Sequence, residues 1–163
     1  MTTKQYLAYQ SFGSIFVNGA IAVGSAWSKR HEAEISVWSY PGVASDTLIS
    51  GCLLSVLTIL IGSLFVRIDV RLGRVTPLAG SRPWASAPFN VWKRAAIFGP
   101  LFAIPSVLLA LSVLRIAAPA ELSFTAFLSF KVGFSALLGM LVTPFNAQAV
   151  LASIARSHVT LPS

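Results

Sequence analysis

Hydrophobic residues along this chain are grouped into four long stretches that hold almost no charge. Residues 5–28, 47–66, 95–114 and 122–155 contain one acidic or basic side chain between them, Lys131. An α-helix rises about 1.5 Å per residue, so about 20 residues cross the roughly 30 Å hydrocarbon layer of a bilayer. The pattern predicts an all-α integral membrane protein, a four-helix bundle built as a single transmembrane domain over residues 1–163.

Small and polar residues interrupt the predicted spans at helical spacing. The spans cover about residues 8–27, 47–66, 94–115 and 123–143. Ala20 and Gly24 share a face of the first span, and Thr58 and Gly62 share a face of the second. Small residues let helices approach closely in lipid, where close packing and weak hydrogen bonds hold them together. For the first span, ordinary packing and a specific dimerisation face both stay open.

The distribution of basic residues predicts the orientation of the helices. Residues 67–93 form a basic loop in which Asp69 is the one acidic residue, and cytoplasmic loops are enriched in Lys and Arg. Four spans then place both termini inside (N-in/C-in). Eight basic residues lie on the predicted inner side: Lys4, Arg67, Arg71, Arg74, Arg82, Lys93, Arg94 and Arg156. Three lie on the outer side: Lys29, Arg30 and Arg115.

Composition agrees with a membrane protein and argues against a nucleic-acid partner. The chain is 55% hydrophobic and 10% charged, against about 25% charged for ordinary soluble domains. The chain has a net charge of +7 but no recognisable nucleic-acid-binding module. The orientation of the helices in the membrane and attraction to anionic lipid headgroups explain this charge better than a nucleic-acid partner does. We expect lipid-headgroup contacts from six residues: Arg67, Arg71, Arg74, Arg82, Lys93 and Arg94.

Lys131 is the one charge inside a predicted span, about eight residues into the fourth helix. An ammonium at that depth costs free energy, which leaves three interpretations. The long side chain can snorkel to the outer headgroups. It can form a structural pair with Asp46, the acidic residue nearest in expected depth. It can also belong to a binding or proton-linked site that faces the interior.

Asp46 and Asn18 complete the set of candidate polar groups within the membrane. Asp46 opens the second span, where it can cap the helix or act as counter-ion to Lys131. Asn18 lies near the middle of the first span, where an interhelical hydrogen bond competes with a substrate contact. Cys52 is the single cysteine and reads as a small packing residue of the second span.

The chain has little catalytic equipment. It holds no set of serine, histidine and aspartate within the spans, no Gly-rich loop after a strand, and no carboxylate pair at helical spacing. His31 and His158 have no ligand partner at metal spacing. The sequence therefore predicts a non-enzymatic protein without metal or cofactor, although a carotenoid or quinone held by packing alone would leave no motif.

Five short features resemble a group of small four-span bacterial inner-membrane proteins without an established activity. The matching positions are Asn18, Asp46-Thr47, Arg67 with Arg71, Lys131 and Thr143-Pro144. The resemblance covers most of the chain. It implies a multi-pass protein of the bacterial inner (cytoplasmic) membrane and carries no mechanism.

Two functions follow as expectations. The first is an accessory or interaction subunit of a membrane assembly, whose partner is another protein or a second copy in a homodimer. The alternative is a small oligomeric transporter or channel with a polar site around Lys131, Asp46 and Asn18. The small-residue faces and the shortage of catalytic groups favour the first.

Overall fold

The computed structural model of the chain describes residues 1–77 and 90–159, with side chains of the last helix described to residue 156. Within these ranges the chain forms four α-helices, which confirms the all-α prediction. They are α1 (Thr3–Ala26), α2 (Val43–Arg71), α3 (Val91–Ala117) and α4 (Phe124–Val159). Two short strands, β1 (Ile35–Ser36) and β2 (Glu121–Leu122), pair antiparallel in the connections.

Three of the helices found in the described residues are long and apolar enough to cross a membrane. They cover Val43–Arg71, Val91–Ala117 and Phe124–Arg156. These helices indicate a membrane protein. Helix α1 is not among them, because Gln10, Asn18 and several serines dilute the hydrophobicity of its 24 residues. The first of the four expected spans therefore stays a prediction.

Each helix packs mainly on the next in the order α1–α4–α2–α3, so α2 and α4 lie at the centre. Successive helices along the chain run in opposite directions, so the adjacent helices α2 and α4 are parallel to each other. The β1–β2 pair and the start of α2 lie at one end, which we call the hairpin end. Arg67, Arg71 and Arg74 lie at the other, the arginine-rich end. Helices α1 and α2 make few contacts with each other within the described residues.

Among the described residues, three groups of buried apolar side chains hold the helices together. The largest lies between α2, α3 and α4 and includes Leu54, Ile59, Val107, Phe134 and Leu138. A second lies at the arginine-rich end around Tyr6, Val66, Val75, Val150 and Leu151. A third lies at the hairpin end around Ile35, Val37, Val43, Leu114 and Phe127. The outward faces of α2 and α3 remain apolar, as expected where helices meet lipid.

The ends of α2 differ from the predicted span. The helix begins at Val43, earlier than expected, because the Gly42 N–H donates to Ser45 Oγ at 3.0 Å in a cap-like arrangement. It ends at Arg71, and Gly73 follows with φ of +70°, a conformation that favours glycine. The interpretation of Cys52 as a packing residue is wrong, because its side chain is exposed on the outer face of α2.

The paired strands were not predicted. Ile35 lies opposite Leu122, and the Val37 N–H donates to the Ala120 carbonyl at 2.9 Å. The pairing joins the α1–α2 connection to the α3–α4 connection. It closes the hairpin end above the buried ring of Phe127.

Candidate functional site

At the hairpin end, Lys131 of α4 and Asp46 of α2 form an ion pair. Lys131 Nζ donates to Asp46 Oδ1 at 2.8 Å. The lysine side chain is 3% exposed and that of Asp46 is 24% exposed. The ammonium also lies 5.5 Å from the centre of the Phe127 ring, close enough for a cation–π contact. The structure therefore places Lys131 in an interhelical pair, as one of the three interpretations expected, and not at a lipid-facing surface.

A second ammonium approaches the same aromatic ring. Lys29 Nζ lies 5.7 Å from the centre of Phe127, and this atom is buried without a hydrogen-bond partner among the described residues. Two positive groups thus share one ring, while Asp46 neutralises one of them. Lys29 lies just after α1, so the first connection contributes to this cluster.

Asn18 of α1 makes the interhelical hydrogen bond expected of it. Thr58 Oγ1 of α2 donates to Asn18 Oδ1 at 3.1 Å, and both residues are buried. On its other side the Asn18 amide lies against Gly139 of α4, where a Cβ atom would collide with it. Gly139 is eight residues beyond Lys131, about 12 Å along the helix. The structure thus brings Lys131 and Asp46 together and places Asn18 in a separate cluster.

A third polar cluster lies nearer the arginine-rich end. Asn146 Nδ2 of α4 donates to the Ile59 carbonyl at 3.1 Å, and Ser63 Oγ of α2 lies 3.1 Å from Asn146 Oδ1. The guanidinium of Arg94, from the first turns of α3, donates from Nη2 to Ser63 Oγ at 3.0 Å. The sequence contains these residue types, but it carries no signal that would bring the three together.

Asp69 organises the arginine-rich end. Its carboxylate accepts from Tyr6 Oη and Gln10 Nε2, each at 3.0 Å, and from Arg74 Nη1 at 3.1 Å. These bonds tie the start of α1 to the end of α2. The sequence analysis did not assign Asp69 a structural role. Its position as the one acidic residue in a strongly basic segment could have indicated that it pairs with neighbouring donors.

The expected headgroup-contact residues fall into two classes. Arg67, Arg71, Arg74 and Lys93 have exposed side chains, whereas Arg94 is fully buried. Arg82 lies outside the described residues. Contact with lipid stays a prediction for the exposed residues, and Arg94 differs from them because its side chain points between α2 and α3.

A groove of about 480 Å³ lies between α1 and α2, where these helices hardly touch. We call it the α1–α2 groove. Its walls include Phe12, Gly13, Phe16, Val17, Leu57, Ile61 and Phe65. Thr143 of α4 also lines it, and the buried Oγ1 of Thr143 has no hydrogen-bond partner among the described residues. The groove is large enough for a small ligand or for side chains of a neighbouring helix.

Two acidic side chains meet outside the helices. A side-chain hydrogen bond with Glu34 and the negative charge of Glu34 raise the pKa of Glu121 above its ordinary value. Both residues adjoin the β1–β2 pair, so strand pairing places these carboxyl groups together. Protonation of one of them relieves the repulsion.

No group of three His, Cys, Asp or Glu side chains that could hold a metal occurs in the described ranges 1–77 and 90–159. Comparison of the chain with protein-family models, with curated proteins and with solved structures found no match. The resemblance to small four-span inner-membrane proteins therefore stays a prediction. The chemistry available at these clusters is charge pairing and hydrogen bonding between helices.

Proposed function

We propose that this chain is a non-enzymatic interaction subunit of the bacterial inner membrane, which binds a helix of a partner protein or a second copy along the outer face of α1. The proposal includes four spans in a four-helix bundle with both termini in the cytoplasm. The arginine-rich end supports this orientation, since basic residues concentrate on cytoplasmic connections.

The observation that carries the proposal is an exposed stripe on α1 formed by three small residues and Val17. Gly13, Val17, Ala20 and Gly24 recur at spacings of four, three and four residues, so they share one face. All four are exposed. A Cβ atom at Gly13 or Gly24 would meet nothing within 4 Å among the described residues. This face resembles the small-residue surfaces through which membrane helices associate.

The surroundings of the stripe support the same function. Gly13 and Val17 also line the α1–α2 groove, so a helix lying on the stripe would cover the groove as well. The rings of Phe12 and Phe16, which pack edge to face at 5.2 Å, are exposed beside the stripe. Helix α1 is also the least apolar of the four, which suits a helix with another protein beside it better than one surrounded by lipid.

Replacement of the small residues tests the proposal. We expect Ala20→Leu and Gly24→Leu to abolish association in native membranes while leaving the monomer folded, because both positions are exposed. Crosslinking in membranes followed by mass spectrometry would identify a second copy or a different partner. Ala96→Leu is the matched control, since Ala96 is an exposed small residue on α3. Equal association of all three variants and the wild type would refute the proposal.

A second candidate is the small oligomeric transporter or channel with its polar site around Lys131, Asp46 and Asn18. Two buried hydroxyls of α4, those of Ser135 and Thr143, favour it because they have no hydrogen-bond partner in the described residues. They lie between Lys131 and Asn146, where a passing polar solute could use them. Flux of ions or small solutes into reconstituted vesicles, lost in Lys131→Met, would support transport. Absence of flux from well-folded protein would refute it.

A further inference from the structure

Arg94 is the largest fully buried side chain of the described residues, and its guanidinium is mostly unsatisfied. Nη2 donates to Ser63 Oγ at 3.0 Å. Nε and Nη1 are buried without a hydrogen-bond partner in the part of the chain that the structure describes. A guanidinium has five N–H donors and keeps its charge in proteins, so it cannot escape the cost of burial by losing a proton.

The chain has no carboxylate side chain left to neutralise Arg94. The sequence holds five acidic residues. Asp46 pairs with Lys131, and Asp69 accepts from Tyr6, Gln10 and Arg74. The remaining three lie in the connections at the opposite, hairpin end: Glu32, Glu34 and Glu121. The five acidic side chains therefore supply no counter-charge for Arg94.

The surroundings of Arg94 suit an anion. Ser63, which accepts from Arg94, is followed one helical turn later by Arg67, whose side chain is exposed at the arginine-rich end. Arg94 and Arg67 thus place one buried and one accessible guanidinium on the same side of α2. Guanidinium groups bind phosphate oxygens through charge-assisted hydrogen bonds, which are stronger than neutral ones.

We propose that Arg94, with Arg67 beside it, binds a phosphate-bearing anion between α2 and α3 at the arginine-rich end. The phosphate can belong to a phospholipid headgroup or to a free phosphate ion. Either source would supply the missing negative charge and would accept hydrogen bonds from Nε and Nη1 of Arg94. This site lies on the far side of α2 from the α1–α2 groove and is independent of the proposed association along α1.

The full-length protein in a phosphate-free maltoside detergent allows a direct test. The unfolding temperature is followed while inorganic phosphate, short-chain phosphatidylglycerol or, as a phosphate-free control, diacylglycerol is added. A rise with both phosphate compounds identifies a free-anion site, and a rise with phosphatidylglycerol alone identifies a headgroup site. Because a ligand stabilises the folded state it binds, no rise with either compound would overturn the proposal.

Variants connect the response to the guanidinium groups. Loss of charge-assisted hydrogen bonds should weaken the apparent affinity about tenfold or more in Arg94→Gln, and less in Arg94→Lys. If Arg94→Gln does not fold, Arg67→Gln serves instead, since this exposed residue should change affinity about threefold by loss of one nearby charge. Arg115→Gln is the control, because Arg115 is exposed in the last turn of α3 at the opposite, hairpin end. A response in Arg67→Gln and Arg94→Gln equal to that of the wild type would also overturn the proposal.

Discussion

The side-chain amide of Asn18 lies directly against the backbone of Gly139, in the space that a Cβ atom would occupy. This contact joins α1 to α4, while the hydrogen bond from Thr58 joins Asn18 to α2. A single polar residue thus fixes the depth of α1 relative to the two central helices. It can do so because the opposing residue of α4 has no side chain.

We expect Gly139→Ala to destabilise the protein by about 1–3 kcal/mol, the usual cost of overpacking. The added methyl group would displace the Asn18 amide and weaken its bond with Thr58. Thermal unfolding in detergent measures the effect. Gly133→Ala in the same helix is the control, because a Cβ atom there meets nothing within 4 Å among the described residues and alanine favours the helix. Equal unfolding temperatures of the two variants would contradict this account of Gly139.

The Lys131–Asp46 pair should respond unequally to loss of each partner. Asp46→Asn leaves a buried ammonium without its counter-charge, and we expect a loss of about 2–4 kcal/mol. Lys131→Met leaves a carboxylate that is 24% exposed and can reach water, so a loss of about 1 kcal/mol is expected.

The double variant provides the coupling energy of this pair through a double-mutant cycle of unfolding free energies. We expect it to be more stable than Asp46→Asn alone, because it removes the stranded charge. A double variant that is no more stable than Asp46→Asn would mean that the pair does not act as a unit.

Tyr6→Phe should weaken the arginine-rich end. The buried Tyr6 hydroxyl donates to Asp69, and its loss leaves the carboxylate with two of its three donors, at a cost of about 1–2 kcal/mol. Tyr9→Phe is the matched control, because the Tyr9 side chain is 65% exposed. Hydrogen exchange of the first turns of α1 provides the measurement. Faster exchange in both variants, or in neither, would argue against this role for Tyr6.

The contact between Glu121 and Glu34 predicts a pH dependence. Because the folded-state pKa of Glu121 is raised, its contribution to stability is full below the ordinary glutamic acid value. That contribution is lost as the pH rises through the raised value, when both carboxyl groups become charged. We therefore expect the unfolding temperature to fall as the pH rises above the ordinary glutamic acid value, and this fall to shrink in Glu121→Gln.

Glu32→Gln is the control for that pH dependence, because it removes the same charge from the same connection as Glu34. Its unfolding temperature should fall with pH as that of the wild type does. An unchanged pH dependence in Glu121→Gln would show that the carboxyl contact does not influence stability.

The hydrophobic pattern was enough to predict the helices. Together with the expected depth of each residue in the membrane, it also predicted the Lys131–Asp46 pair as one of three interpretations of Lys131. Both residues were expected near the outer ends of their helices, so depth alone made them neighbours. On α2, Thr58 is buried, whereas Gly62, which was expected on the same face, is half-buried and lines the α1–α2 groove. These features follow from local spacing and from the alternating direction of the helices.

The sequence could not separate Arg94 from Lys93. Successive residues of a helix point about 100° apart, so Lys93 is exposed while Arg94 lies between α2 and α3. Which of the two faces inward depends on the rotation of α3 against its neighbours, and a run of two basic residues carries no information about it. The β1–β2 pair was missed for a related reason, because its partners are two connections far apart along the chain.

Helix α1 is fastened along one flank, by α4, and at its beginning by Asp69. Apart from the Asn18–Thr58 hydrogen bond it makes few contacts with α2 in the described residues, so its attachment to the fold depends mainly on α4. Its other flank lacks a covering element from the described residues, so a neighbouring protein could supply one. Binding and release of such a neighbour would then affect the rest of the fold through the interface between α1 and α4, where Asn18 contacts Gly139.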